Sequence, residues 1–116
     1  MTHSDNRFPS QYRLTDSAQI RRVYASGTRY RLGPFTLFVL VDNLDNPRVC
    51  ISIAKRHVAK ATMRNIIKRL VRESFRLTKL TLQRMDIVIT INCSIERQQL
   101  PILKEQLDKI WARLQM

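Results

Sequence analysis

The stretch "MRNIIKRLVRESFR", residues 63–76, carries five Arg or Lys side chains and a single Glu. At about 100° per residue, its apolar positions gather on one side of a helix and most of its cations gather on the other. The apolar side holds Met63, Ile67, Leu70 and Val71, with Ser74 beside them. The basic side holds Asn65, Lys68, Arg69, Arg72 and Arg76, with Arg64 at its border. We predict an amphipathic helix from about Thr62 to about Thr78.

The basic side of this helix carries charge of nearly one sign. Lys68, Arg72 and Arg76 follow each other at i,i+4 spacing, where like charges repel. An ordinary solvent face mixes both signs, so a phosphate backbone is the expected counter-charge. The preceding segment "AKRHVAKAT" adds Lys55, Arg56 and Lys60. Phosphate contacts position a protein without reading sequence, so the shape of a folded RNA is the expected target.

The composition favours a nucleic-acid partner over an anionic membrane. The 116 residues include 21 Lys and Arg against 9 Asp and Glu, a formal net charge of +12. We expect one RNA-binding domain over residues 1–116, with about residues 1–12 loose. No signal peptide is recognised, and the longest apolar run, "FTLFVLV" at 35–41, is too short to cross a bilayer, so a cytoplasmic location is expected. Cys50 and Cys93 lack metal-ligand spacing and are expected to be reduced thiols.

The remaining sequence predicts two further helices and four strands. Thr15 or Asp16 is placed to begin a helix that Gly27 ends, and a last helix spans roughly 98–114. Strands are expected at 28–31, 35–42, 48–54 and 86–92, with the second and third forming an antiparallel pair. The order α-β-β-β-α-β-α predicts an α+β sandwich. Alternation separates Phe35 and Leu37 from Phe38, but it leaves open which face meets a ligand.

The segment "AKRHVAKATMRNIIKRLVRESFR", residues 54–76, closely resembles the signature of the protein subunit of bacterial ribonuclease P. The shared pairs are Lys55-Arg56, Arg64-Asn65, Lys68-Arg69, Arg72-Glu73 and Phe75-Arg76. The flanks "RVCISIAK", "MDIVIT" and "LDKIWARL" agree as well, so the resemblance covers about residues 13–114. Two positions depart from the pattern. Ile66 stands where the family has a second Arg after Asn65, and Ile20 stands where it usually has an aromatic residue.

The resemblance implies a fold and a division of labour. The fold is a four-stranded mixed sheet with packed helices, similar to some ribosomal proteins, and it contains a left-handed βαβ crossover against the usual right-handed rule. The catalyst is a partner RNA, which uses magnesium ions to remove the 5′ leader of precursor tRNA. The implied contacts with that RNA are Lys55, Arg56, Lys60, Arg64, Asn65, Lys68, Arg69, Arg72 and Arg76. The implied contacts with the leader, in a cleft between the first helix and the sheet, are Ile20, Arg21, Tyr24, Phe35 and Leu37.

The expected partners are therefore the catalytic RNA and precursor tRNA, with no membrane and no required protein partner. No catalytic residue and no cofactor are assigned to the chain itself, and residues that touch magnesium are not identified. A ribosomal or general structured-RNA-binding protein without a role in cleavage is the alternative. An independent protein ribonuclease is disfavoured, because no general acid and base are visible in the sequence. The sequence leaves open the structural class of the partner RNA and the oligomeric state.

Overall fold

The computed structural model describes residues 12–41, 47–78 and 85–114. The helices are α1 (Ser17–Ser26), α2 (Ala61–Thr78) and α3 (Leu100–Leu114), and a short 3₁₀ turn, Arg97–Gln99, precedes α3. The strands are β1 (Thr28–Leu32), β2 (Phe35–Val41), β3 (Arg48–Ser52) and β4 (Met85–Ile91). The predicted α+β class and the predicted order of elements are confirmed.

The four strands form one mixed sheet in the order β1-β2-β4-β3. β2 pairs antiparallel with β1 and with β4, whereas β3 pairs parallel with β4. The predicted antiparallel pair of β2 and β3 is therefore wrong, because β4 lies between them. The physical reason is the apolar run of β4, which is buried on both faces and therefore needs a central place in the sheet. The left-handed crossover in the β3–α2–β4 unit stays a prediction.

β1 and β2 form the hairpin of this sheet. Leu32 pairs directly with Phe35, so the turn consists of Gly33 and Pro34. Gly33 has φ of 57°, in the left-handed region that glycine enters without strain. Gly33 and Pro34 thus reverse the direction of the chain.

The main core lies between one face of the sheet and the helices α2 and α3. Trp111 and Phe75 meet there edge to face, with ring centroids 5.6 Å apart. The Trp111 Nε1–H group donates a 2.6 Å hydrogen bond to Ser74 Oγ, and the Ser74 hydroxyl donates in turn to Asp108 Oδ1 at 3.3 Å. The buried residues of this core include Ile67, Val71, Phe75, Ile89, Leu107 and Trp111. Leu70, which the sequence also places on the apolar side of α2, is half-buried at the edge of this cluster.

The chain that precedes α1 runs along the free edge of β3. The Leu14 N–H group donates to Val49 O at 3.0 Å, and Arg13 bridges Val49 in parallel. Tyr12 is half-buried, and its ring lies 6.4 Å from that of Phe75. The loose segment predicted for about residues 1–12 lies outside the described residues except for Tyr12, which packs against the core.

Two leucine-sized side chains of α3 test this core assignment. Leu107 is 0% exposed and Ile102 is 53% exposed on the same helix. Leu107→Ala is expected to lower the free energy of unfolding by about 2–5 kcal/mol, because it removes apolar contacts and leaves a cavity. Ile102→Ala is expected to change it by less than about 0.5 kcal/mol. Urea unfolding of both variants measures the difference, and equal losses would contradict this orientation of α3.

Candidate RNA-binding surfaces

The second face of the sheet is covered only in part, by α1. Leu14 and Val23 pack against Val88 there and form a small buried cluster. The partly buried side chains around this cluster are Ile20, Phe38, Leu40 and Cys50. Because a ten-residue helix is narrower than the sheet, Tyr24, Phe38 and Cys50 stay at least partly exposed on this face. We call the surface formed by these three residues the cleft.

Two local features fix the position of α1. Asp16 caps its start, since Oδ1 accepts hydrogen bonds from the N–H groups of Ala18 at 2.9 Å and Gln19 at 3.1 Å. At its end, a Cβ on Gly27 would lie 2.5 Å from the Val23 carbonyl oxygen and 3.0 Å from that of Val39. Glycine therefore lets the helix end approach β2 closely, which brings Tyr24 over the sheet.

Tyr24 and Phe38 form a ring pair in the cleft. Their centroids lie 4.8 Å apart at an interplanar angle of 62°, and Tyr24 is 41% exposed. Burial raises the pKa of the Tyr24 phenol above its usual value, and the neighbouring Cys50 acts in the same direction. Three of the residues assigned to the leader are found here. Tyr24 belongs to the ring pair, Ile20 lies in the apolar surroundings of the pair, and Arg21 is exposed on the same helix.

Phe35 and Leu37 were assigned to the leader as well, and their burial contradicts that assignment. Both are 0% exposed and belong to the core beneath α2 and α3. Strand alternation places residues 35, 37 and 39 on the same face, and the two long helices cover that face. The ring that β2 presents to the cleft is that of Phe38, which the sequence alone did not distinguish from a core residue.

The predicted basic side of α2 divides into two sides with different surroundings. Arg64, Lys68 and Arg72 recur at i, i+4 and i+8 and are half-buried next to the core face. Asn65, Arg69 and Arg76 are exposed and point outward. We call the first set the inner stripe and the second set the outer stripe.

Two members of the inner stripe, Lys68 and Arg72, lie near the cleft. Burial raises the pKa of the Cys50 thiol, and the charges of Lys68 and Arg72 oppose that rise. Burial lowers the pKa of the Arg72 guanidinium, and nearby Arg13 lowers it further. Lys68 and Arg72 therefore lie close to the Cys50 thiol, and Arg13 lies close to Arg72. Sequence reasoning missed Arg13, because only the pairing of its segment with β3 brings it to α2.

One member of the outer stripe has a counter-charge within the protein. The Arg76 guanidinium hydrogen-bonds to the Glu73 carboxylate through two contacts, one of them Nε to Oε2 at 3.2 Å. These contacts lower the pKa of Glu73 and raise the pKa of Arg76. Both side chains are exposed, so the pair stabilises the helix only slightly. Arg69 and Asn65 are thus the stronger candidates for RNA contact on this stripe.

The connection between β3 and α2 carries the three other predicted cations. Lys55, Arg56 and Lys60 are all exposed. A pocket of about 320 Å³ opens beside this connection, lined on one side by residues 57–60 and on the other by residues 95–97. Arg64 does not extend into solvent, because its Nη1 donates to Val58 O at 2.9 Å and to Ala59 O at 2.8 Å.

A largely buried ion pair lies on the same face of the sheet as the cleft, near the start of β3. Arg48 Nε and Nη2 donate to the two carboxylate oxygens of Asp86, both at 2.8 Å. Their side chains are 20% and 3% exposed, respectively. The two residues are direct partners in the parallel register of β3 and β4. This pair could not be predicted from the sequence, because the parallel pairing of β3 with β4 was itself not predicted.

Within residues 12–41, 47–78 and 85–114, no three His, Cys, Asp or Glu side chains gather as a metal site would require. None of the helices in those ranges combines the length and the apolar character that a membrane span needs.

Comparison with known proteins identifies the family. The Ribonuclease P family model matches residues 8–115. The chain belongs to the ribonuclease P protein family. It is 36% identical over 110 residues to the ribonuclease P protein component of Pseudoalteromonas translucida, covering 95% of this chain and 79% of that protein. It is also 36% identical over 106 residues to that of Yersinia enterocolitica, covering 91% and 89%.

Solved structures agree on the fold. The RNase P protein of Staphylococcus aureus superposes with a TM-score of 0.77 at 25% identity, covering 90% of this chain and 98% of that one. The Thermotoga maritima protein gives 0.73 at 23% identity, with the same coverage. As a family member, the chain is the protein component of the ribonucleoprotein endoribonuclease that matures the 5′ ends of tRNAs, in which the partner RNA is the catalyst.

The geometry of the inner stripe is testable without RNA, through the two cysteines. Cys50 is half-buried with a raised pKa, and Cys93 is exposed. At pH 8 iodoacetamide is expected to alkylate Cys50 more slowly than Cys93, because a raised pKa leaves less thiolate. Lys68→Ala or Arg72→Ala removes a charge that lowers this pKa, so each should slow Cys50 further. Timed alkylation with peptide mass spectrometry measures both rates, with Cys93 as the internal reference.

Arg69→Ala is the matched control, because Arg69 lies on the exposed outer stripe. It should leave the Cys50 rate unchanged. An equal effect of all three substitutions would contradict the division of α2 into two sides.

Proposed function

We propose that the two sides of α2 serve two RNAs: the outer stripe and the connection bind the catalytic RNA, and Lys68 and Arg72 of the inner stripe flank the leader of precursor tRNA. The observation that carries the proposal is the division itself. Lys68 and Arg72 lie beside Cys50 at the cleft, whereas Asn65 and Arg69 point away from it. The initial assignment placed all of these residues on the catalytic RNA.

The outer surface has the properties of a phosphate-binding surface. Lys55, Arg56, Lys60 and Arg69 are exposed and share one sign of charge, and the first turn of α2 contains no acidic residue. The positive end of the helix dipole adds to this charge. Such a surface recognises the backbone of a folded RNA by its shape and charge rather than by its base sequence.

The cleft has the properties of a single-strand binding site. Such sites combine aromatic rings for base stacking with cations that follow the backbone. The ring pair Tyr24 and Phe38 supplies the first, and Arg13, Lys68 and Arg72 supply the second along one rim. Beyond Phe38 the same sheet face continues as a polar row across the four strands, made of Arg31, Thr36, Thr90 and Ser52. Ile20 adds only apolar contact, where the family usually offers a ring.

Magnesium belongs to the proposal as a requirement of the whole ribonucleoprotein, with no ligand assigned on this chain. A cytoplasmic location and independence from other proteins are parts of the proposal as well. The alternative, a general structured-RNA-binding protein, shares the outer surface but gives no role to an exposed ring pair flanked by cations. Co-purification separates the two, since the proposed protein should follow one structured RNA rather than ribosomal subunits.

The salt dependence of catalytic-RNA binding tests the outer surface. Arg69→Ala is expected to weaken binding and to reduce the slope of log K against log salt by about one unit, because one phosphate contact is lost. Arg113→Ala is the control, since Arg113 is exposed on α3 beside β1, at the sheet edge opposite α2. An unchanged slope for Arg69→Ala would show that the outer stripe does not contact the catalytic RNA.

The affinities of the reconstituted ribonucleoprotein for precursor and mature tRNA test the cleft. Tyr24→Ala is expected to weaken precursor binding by about 1–3 kcal/mol through lost stacking, and to leave mature tRNA, which lacks the leader, unaffected. Tyr24→Phe keeps the ring and should bind as the unaltered protein does. Equal losses for both tRNAs would place the function of Tyr24 in the fold or at the catalytic RNA.

A further inference from the structure

Arg64 differs from the other cations of α2 in the contacts that its side chain makes. Its Nη1 lies 2.9 Å from Val58 O and 2.8 Å from Ala59 O, so one guanidinium nitrogen donates to two consecutive carbonyls of the connection. Arg64 is half-buried, whereas Asn65 and Arg69 on the outer stripe are exposed. A side chain held in this way is directed at its own backbone rather than at solvent.

The connection has other attachments, which lie on either side of the Val58 and Ala59 carbonyls. The Ala54 carbonyl accepts hydrogen bonds from the N–H groups of His57 and Val58, both at 3.1 Å, which closes a turn. The Val58 side chain is 3% exposed and anchors the connection in the core. Ala59 and Lys60 are exposed, and α2 begins directly after them. The Lys60 carbonyl accepts a 3.0 Å hydrogen bond from the backbone N–H group of Arg64. Between these attachments, the Arg64 guanidinium ties the Val58 and Ala59 carbonyls to the helix.

The place of Arg64 in the helix makes this contact informative. It lies near the N-terminus of α2, where the helix dipole disfavours a cation. Two carbonyl acceptors offset that cost, and hydrogen bonds from a charged donor are stronger than neutral ones. The carbonyls of Val58 and Ala59 point toward this guanidinium, so they would lose their acceptor contact if it were removed.

We propose that Arg64 is a positioning residue, which fixes the connection so that Lys60 and its neighbours meet the catalytic RNA in one geometry. This inference rests on the proposed function of the outer surface. It changes the role of Arg64 from a phosphate contact of its own to support for the phosphate contacts of other residues. Loss of the guanidinium then displaces the connection from the catalytic RNA, so the loss of binding affinity exceeds that of a single contact.

The first arm of the test uses the full-length protein without RNA. Hydrogen exchange of the backbone amides of residues 57–60 is compared in the unaltered protein, Arg64→Ala and the matched control Arg69→Ala. Faster exchange is expected in Arg64→Ala alone, because only that variant frees the connection. Unchanged exchange in Arg64→Ala would overturn the proposal.

The second arm is a double-mutant cycle on binding of the catalytic RNA. Lys60→Ala is expected to weaken binding about tenfold in the unaltered protein, the size of one charge-assisted contact. In the Arg64→Ala background the same substitution should cost less than about twofold, because Lys60 is already misplaced. Full additivity would overturn the positioning role. No effect of Lys60→Ala in either background would overturn the proposed function of the connection, and the role of Arg64 with it.

Arg64→Lys provides the conservative variant and keeps the charge. If Arg64 acts through the connection, exchange protection and RNA affinity should recover together, in proportion to how well the lysine amine reaches the two carbonyls. Recovered affinity without recovered protection would show that the charge binds phosphate directly, and would overturn the proposal.

Discussion

The unequal covering of β4 is the constraint on which the rest of this molecule depends. Its apolar run must be covered on both faces, and this places it between β2 and β3 at the centre of the sheet. Ile87 and Ile89 face the large core beneath α2 and α3, but Val88 faces only the small cluster of α1. The stability of the fold thus comes mainly from one face, which leaves the other face available for a ligand.

That asymmetry explains why the ring of Phe38, the proposed stacking surface, stays partly exposed on a strand within the sheet. Phe38 lies next to Val88 in the β2–β4 register, where a larger helix layer would have buried it completely. The short α1 instead covers Val88 with Val23 and leaves Tyr24 as the partner of Phe38. Exposing large apolar rings to water costs free energy, and the edge-to-face contact between two rings offsets part of that cost. In the proposed complex, a stacked base replaces the remaining water. A small helix therefore gives both a sufficient core and an open ring pair.

The sequence predicted the elements that depend on local periodicity and missed the contacts that depend on pairing. The helices α2 and α3 were predicted correctly, because 3.6-residue periodicity is read within one segment. The face of β2 was not readable, since Phe35, Leu37 and Phe38 are all apolar and only the position of the long helices separates them. The pairing of β2 with β4 depends on which strand needs the centre of the sheet. The sequence therefore favoured the wrong pair, that of the successive strands β2 and β3. Arg13 and the Arg48–Asp86 pair were invisible for the same reason, as both need the neighbours of β3.

The distribution of acids completes the electrostatic argument. Asp86 is committed to Arg48, Glu73 to Arg76 and Asp16 to the start of α1, so these carboxylates serve the fold or the helix surface. With 21 basic and 9 acidic residues, many cations can gain a counter-charge only from a partner. Arg13 and Arg72 repel each other near the cleft, and Lys68 and Arg72 repel each other at i,i+4 spacing on α2. Under the proposed function, the phosphates of the leader relieve that repulsion, so the affinity for the leader falls as the salt concentration rises.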